Sequence, residues 1–263
     1  MALVLAGCGG SANSASTAST SASTASDGSY KLVESGTLTC VSEIGFMPFE
    51  YLEEGSTEPV GYDIDVANEI AKRMGLTCKF LPSQNFDTLL TTISEGSKAD
   101  ISIAGITIQA DRAKTVDFSD PYYSSNQALI VKKGSNETLQ SLNAKEKKVA
   151  CQRGTTGDTW ISENLPSAEK TALDDVAAGL AGVSTGTYSA YVIDLPVAER
   201  QLKDYQDLEI IEKIATGEEY GIAISKNNPE LTKAINKALG EMKADGTLDK
   251  LTAKWLSSEA ASA

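Results

Sequence analysis

The chain has 263 residues, with 36 acidic against 23 basic side chains and a formal net charge of −13. That balance excludes a nucleic-acid-binding surface, which needs clustered cations, and by itself says nothing about a ligand. Histidine is absent, which removes the Ser-His-Asp triad, the commonest metal ligand and the usual general base. Cys40, Cys78 and Cys151 lack Cys-x-x-Cys spacing, so neither a metal nor any other cofactor is expected.

Leu5-Ala6-Gly7-Cys8 resembles a bacterial lipobox, in which the cysteine is lipidated and becomes the mature N-terminus. The apolar run before it is only Ala2 to Leu5 and has no basic n-region, so residues 1–8 read as a truncated signal segment. Residues 9–29 are almost entirely Ser, Ala, Thr and Gly, a composition that cannot bury a core and predicts a disordered tether. No other apolar run is long enough to span a bilayer. The expectation is an extracytoplasmic protein held to the cell membrane by a lipid on Cys8.

About 230 residues remain, enough for two modest lobes or one large domain. Leu38–Glu43 is predicted as the first strand. Gly61 then allows a turn, with Tyr62 and Ile64 as apolar strand-end residues. Asp65 stands at the N-cap position ahead of Val66, Ile70 and Met74, which repeat at helical spacing. Glu69 and Arg73 are expected to pair on the solvent side. A strand over Thr77–Leu81, a helix over Phe86–Ser94 and a buried strand over Ala99–Ala104 follow. This order implies a parallel sheet with right-handed crossovers. Cys40 and Cys78 lie in runs that can be neighbours, as a disulfide or as two buried thiols, which leaves Cys151 without a partner.

A second α/β series begins at Ala128–Val131. It continues through a strand at Val149–Cys151, a helix from Asp158, and strands at Tyr191–Ile193 and Leu208–Ile211. The chain returns through Tyr220-Gly221-Ile222-Ala223-Ile224. It closes with a helix after Pro229 (Leu231, Ile235, Leu239, Met242) and another carrying Leu248, Leu251 and Trp255. Pro229 suits a first turn and Gly246 a helix C-terminus.

Six segments between residues 36 and 256 carry a resemblance: Phe46-Met47-Pro48-Phe49-Glu50-Tyr51, the run from Gly61 to Met74, Ala104-Gly105-Ile106-Thr107-Ile108-Gln109-Ala110-Asp111-Arg112, Asp117-Phe118-Ser119-Asp120-Pro121-Tyr122-Tyr123, Gly154-Thr155-Thr156 and Ala190-Tyr191-Val192-Ile193-Asp194. In this order they resemble the extracellular solute-binding proteins that feed polar amino acids to ABC transporters. Gln109 replaces the family's usual second Thr in the third segment. The resemblance implies the two-lobed periplasmic-binding-protein type II fold, α/β, each lobe a mostly parallel sheet flanked by helices. Residues 30–121 and 221–263 would form lobe 1 and 127–215 lobe 2, joined by a two-strand hinge at 122–126 and 216–220 that closes on ligand. A monomer is expected, with ABC permease subunits as partners.

The resemblance also implies a site. Arg112 offers a planar fork of donors suited to the ligand carboxylate, with the backbone N–H groups of Thr107 and Thr156 beside it, the latter at a helix N-terminus. Asp194 matches the ammonium-binding acid, assisted by the Thr107 hydroxyl and the Gly105 carbonyl. Phe46 and Phe86 match the aromatics that sandwich the ligand side chain. Glu43 and Gln152 are expected to face that side chain. Arg112 and Asp194 balance the two main-chain charges of the ligand, which leaves Glu43 as the surplus acid. A buried unpaired charge selects a cationic partner, so arginine or lysine is the favoured ligand. Glutamine or cystine is the alternative, although Gln152 and Ile193 replace the Lys and His expected of a glutamine-binding member. An amino-acid-sensing lipoprotein and a cyclohexadienyl-dehydratase-like enzyme are minor alternatives. The enzyme needs a positioned acid or base in the cleft, and only Glu43 is available for that, so no enzyme is expected.

Overall fold

The structure, a computed structural model, describes residue 1 and residues 30–257. Cys8 and the tether over 9–29 lie outside the described residues. Lobe 1 begins with strand β1 (Thr37–Val41), followed by the short strands β2 (Tyr51–Leu52) and β3 (Pro59–Val60), helix α1 (Tyr62–Arg73) and strand β4 (Thr77–Phe80). Helix α2 (Leu89–Glu95), strand β5 (Ile101–Ser102) and strand β6 (Asp117–Phe118) complete its first pass. The chain crosses on strand β7 (Tyr123–Lys132) into helix α3 (Leu139–Leu142), strand β8 (Lys148–Gln152), helix α4 (Thr156–Asn164), strand β9 (Glu169–Leu173), helix α5 (Val176–Thr185), strand β10 (Ala190–Asp194) and helix α6 (Leu195–Gln201). It returns on strand β11 (Leu208–Tyr220) to strand β12 (Ala223–Ile224), helix α7 (Pro229–Ala244) and helix α8 (Thr247–Leu256).

Two five-stranded sheets result, in the orders β4-β1-β5-β12-β6 and β11-β7-β10-β8-β9. Both are mixed. β4-β1-β5 and β10-β8-β9 are parallel, while every pairing made by β7, β11 or β12 with a neighbour is antiparallel. The crossing strands are the reason, since a chain that leaves a lobe and returns to it must run against its own first pass. β7 and β11 are longer than the apolar runs at 128–131 and 208–211 suggest, because they pair with each other from Lys132 and Leu208 to Tyr123 and Tyr220. The segments 122–126 and 216–220 therefore lie mostly within this ribbon.

Helix α1 starts earlier than its apolar period indicates. Its N-cap is Gly61, and Tyr62 and Ile64, read from sequence as strand ends, are helical and buried. The first-turn N–H groups of Tyr62 and Asp63 donate to the carbonyls of Pro48 (3.0 Å) and Phe49 (2.9 Å), so no side-chain cap is required. Only glycine fits at 61: φ is +134°, and a Cβ there would lie 2.1 Å from the Phe49 carbonyl oxygen. Asp65, displaced from the cap, instead accepts from Trp255 Nε1 and Lys254 Nζ, both at 2.7 Å, and fastens α8 to α1. The Glu69–Arg73 pair forms at 2.9 Å but is half-buried, and Arg73 also reaches Asp245 between α7 and α8.

Other boundaries shift for local reasons. The helix expected over 86–94 is a 3-10 turn at Phe86–Thr88 followed by α2, and the strand expected over 99–104 keeps ladder pairing only at Ile101–Ser102. α4 starts at Thr156 rather than Asp158, because the Thr155 side chain caps it by accepting from the Asp158 N–H at 3.2 Å. β9, α5 and α6 were not anticipated. Cys40 and Cys78 sit on paired strands with their sulfurs 3.6 Å apart, as two thiols, and Cys151 is a separate buried thiol.

Candidate functional site

Ten residues from both lobes line a small, narrow cavity: Phe46, Phe86, Ala104, Gly105, Thr107, Arg112, Gln152, Thr155, Thr156 and Asp194. Eight of the nine side-chain or main-chain contacts anticipated for a ligand fall in this lining. Glu43, the ninth, does not. It follows β1, is buried, and curls over Gly45, where a Cβ would meet its Oε1 at 2.9 Å. A larger groove bordered by Pro48, Leu195 and Trp255 is an open surface feature that shares none of these residues, whereas another, bordered by Gln109, Trp160 and Glu218, adjoins the cavity at Thr107 and Thr156.

Arg112 extends from the loop after Thr107 across the cleft. Its Nη1 donates to the Thr107 carbonyl at 2.9 Å and its Nη2 to the Gly154 carbonyl of lobe 2 at 3.0 Å. The guanidinium carbon lies 5.4 Å from the centre of the Phe86 ring, a cation–π contact. Burial lowers the Arg112 pKa, opposed by the nearby Glu218 and Asp194 carboxylates. Phe86 thus holds the arginine as well as walling the cavity.

Across the cavity, Asp194 ends β10 and is buried. Burial raises its pKa to about 7, with the Glu218 charge adding to the rise and hydrogen bonds from Tyr220 and Gln127 opposing it. Tyr220 OH donates to Asp194 Oδ1. Burial likewise raises Glu43 to about 7, with a hydrogen bond to Gln152 opposing the rise and Asp175 adding to it. Gly105, also in the lining, donates its N–H to Asp63 at 2.8 Å. The N-terminus of α4 enters the same space through Thr155 and Thr156. A cation with paired donors and a helix N-terminus therefore meets a buried carboxylate within one cavity, which suits a zwitterion.

Ala104 and Thr155 of the lining were not anticipated as site residues, and neither was a buried acid beside them. Glu218, on β11, is buried at 7% exposure and accepts the hydroxyl hydrogens of Thr107 (2.7 Å) and Thr156 (2.9 Å) on a single oxygen, Oε2. The count that left Glu43 as the lone surplus acid is corrected accordingly: Glu43 and Glu218 both exceed what Arg112 and Asp194 balance. The available signal was the period of two that places Glu218 on the same face as Tyr220.

The family model for bacterial extracellular solute-binding proteins, family 3, matches residues 38–258. The chain belongs to this family. It is 30% identical over 231 residues to the L-cystine-binding protein TcyJ of Escherichia coli K12, covering 87% of this chain and 86% of that protein. An ancestral arginine-binding protein solved with glutamine and with arginine is 39% and 38% identical in the two structures. Each has a TM-score of 0.79 and covers 84% of this chain, with 98% and 99% of the other chain matched. The ancestral amino acid-binding protein AncCDT-1, a precursor of cyclohexadienyl dehydratase, is 36% identical with a TM-score of 0.79, over 84% of this chain and 96% of the other. These solved structures share the two-lobed type II periplasmic-binding-protein fold of this chain. Among the described residues, no helix is long and apolar enough to cross a membrane.

Proposed function

We propose that the protein is an extracytoplasmic receptor that binds a polar L-amino acid between its lobes and delivers it to an ABC importer. The observation that carries this reading is the convergence of Arg112, the α4 N-terminus, Thr107, Gly105 and Asp194 on one cavity. Burying a carboxylate or an ammonium without a partner is costly, and this arrangement supplies a partner for each. In the assignment, Arg112 with the Thr107 and Thr156 N–H groups takes the α-carboxylate. Asp194, the Gly105 carbonyl and the Thr107 hydroxyl take the ammonium. Phe46 and Phe86 flank the side chain, with Gln152 and the more distant Glu43 beyond them.

Arginine or lysine is the favoured ligand. Three acids, Glu43, Asp194 and Glu218, face one cation, Arg112, and a zwitterion adds no net charge, so a cationic side chain reduces the imbalance. Burial is the main cause of the raised pKa values of Glu43 and Asp194, and neighbouring acids add to it, Asp175 at Glu43 and Glu218 at Asp194. Glutamine or cystine is the second reading, supported by the Gln152 amide in the cavity lining and by the ligands named for the relatives. No catalytic role is assigned: the one carboxylate in the lining, Asp194, is held by Tyr220. Lipidation of Cys8 and closure about the β7–β11 ribbon complete the proposal.

A thermal-shift panel of the twenty amino acids with ornithine, citrulline and cystine tests it. Ligand at 100 times its Kd adds about 2.7 kcal/mol of stability, so one chemical class stands out. A flat response across the panel contradicts the receptor reading.

A further inference from the structure

Glu218 occupies an unusual place in the ribbon. β11 and β7 pair from Ile214 opposite Gln127 to Glu218 opposite Ser125, so four residues of β11 are spent against two of β7. Gly217, at φ +62°, lies in this bulge, and its N–H donates to Asn126 Oδ1 at 3.1 Å. Bulges re-aim side chains, and here the residue after the bulge turns inward: residues 215–217 are exposed, Glu218 is buried, and Glu219 is exposed again. The carboxylate reaches Thr107 of lobe 1 and Thr156 of lobe 2 from the strand that crosses between them.

The consequence lies in the hydrogens. A threonine hydroxyl has one donor and two acceptor lone pairs. Thr156 gives its hydrogen to Glu218 and accepts from Gln127 Nε2 at 3.1 Å, so its hydrogen and one of its two lone pairs are committed. Thr107 gives its hydrogen to Glu218, and its carbonyl accepts from Arg112. Its hydroxyl oxygen is left only as an acceptor, and Thr107 lines the cavity together with Asp194 and Gly105. A hydroxyl free to rotate presents either a hydrogen or a lone pair; one tied to a carboxylate presents only lone pairs.

We propose that Glu218 is a positioning residue for ligand recognition: by fixing the Thr107 hydroxyl as an acceptor and committing the Thr156 hydroxyl, it builds the ammonium subsite without touching the ligand. The inference rests on the amino-acid-binding reading above and adds to it a residue and a role. Glu218→Met keeps the volume and removes the acceptor. Glu218→Gln keeps an acceptor oxygen and removes the charge. Thr107→Val removes the hydroxyl at constant shape.

The test is calorimetric titration of wild type, E218M, E218Q, T107V and E218M/T107V with L-arginine, L-glutamine and L-cystine, with a thermal melt of each variant. E218M weakens the binding amino acid about tenfold, E218Q stays within about threefold of wild type, and the double variant binds within about twofold of the weaker single variant. E218M indistinguishable from wild type overturns the proposal. So does E218M weakening T107V by the same factor as it weakens wild type, or E218Q losing as much as E218M. E218M that no longer melts cooperatively beside an E218Q that melts normally assigns Glu218 to the fold and overturns it equally. Wild type that binds none of the three amino acids contradicts the receptor reading instead, and this inference with it.

Discussion

Arg112→Ala should abolish amino-acid binding while leaving a folded protein. The side chain makes two hydrogen bonds, to the Thr107 and Gly154 carbonyls, and stacks on Phe86. Its removal leaves Glu218 and Asp194 facing the ligand carboxylate with no cation between them, and breaking a buried charge pair from one side costs about 3–5 kcal/mol. That corresponds to a loss of affinity of roughly two to nearly four decades. The cost to the fold is smaller, because Gly154 is exposed and its freed carbonyl is taken up by water. About 1–3 kcal/mol is expected from the lost hydrogen bonds, a few degrees of melting temperature for a chain of this size. Calorimetry with arginine, glutamine and cystine, beside a melt of each protein, separates the two effects. Arg112→Lys keeps the charge but loses the fork, and falls between. An Arg112→Ala protein that binds within a few-fold of wild type would falsify the carboxylate assignment.

Glu43→Gln removes a charge at constant size; it should weaken arginine or lysine by about 1–3 kcal/mol and spare glutamine in competition titrations, whereas equal losses would place Glu43 in the fold alone. Binding should weaken as pH falls through about 7, by up to about tenfold per unit, because Asp194 then protonates and the ammonium loses its charged acceptor; a flat affinity between pH 8 and 5 contradicts this. Stability without amino acid runs the opposite way. Asp63, raised to about 6 by burial, and Asp194 and Glu43, raised to about 7, bind protons more tightly folded than unfolded. Their contribution is present below the unfolded values near 4 and is lost as pH rises through 6–7, which denaturant titrations across that range will show. Gly61→Ala forces a Cβ into the Phe49 carbonyl at the start of α1 and should destabilise by about 3 kcal/mol or more; a melt within a degree of wild type would mean the 48–62 turn yields freely.

Much of the fold was legible because its signals are local. The apolar period of Val66, Ile70 and Met74 marks α1, and Pro229 marks the start of α7. Asp65 misled because a good capping residue in sequence was outcompeted by carbonyls of a loop twelve or more residues upstream, a tertiary fact. α5 escaped notice because its helix is built on small residues: Gly179 and Gly182 lie where a Cβ would collide with the rings of Tyr191 and Tyr188, so propensity was traded for close packing. Most of the lining residues could be named because they stand in contiguous motifs of a recognisable family. Glu218 could not, because its role depends on a bulge in β11 and on two threonines 111 and 62 residues away. Sequence separation likewise hides the cation–π contact of Arg112 with Phe86, which no spacing in the sequence announces.

The claim on which the rest depends is that one cavity clamps an amino acid by both main-chain charges. A crystal structure of the protein with the panel amino acid of largest thermal shift tests it most directly. The account predicts the α-carboxylate on Arg112 and the Thr156 N–H, and the α-ammonium on Asp194, Gly105 O and Thr107 Oγ1, with both lobes in contact with the ligand. An amino acid bound to one lobe only, or seated outside the residues around Arg112 and Asp194, contradicts it.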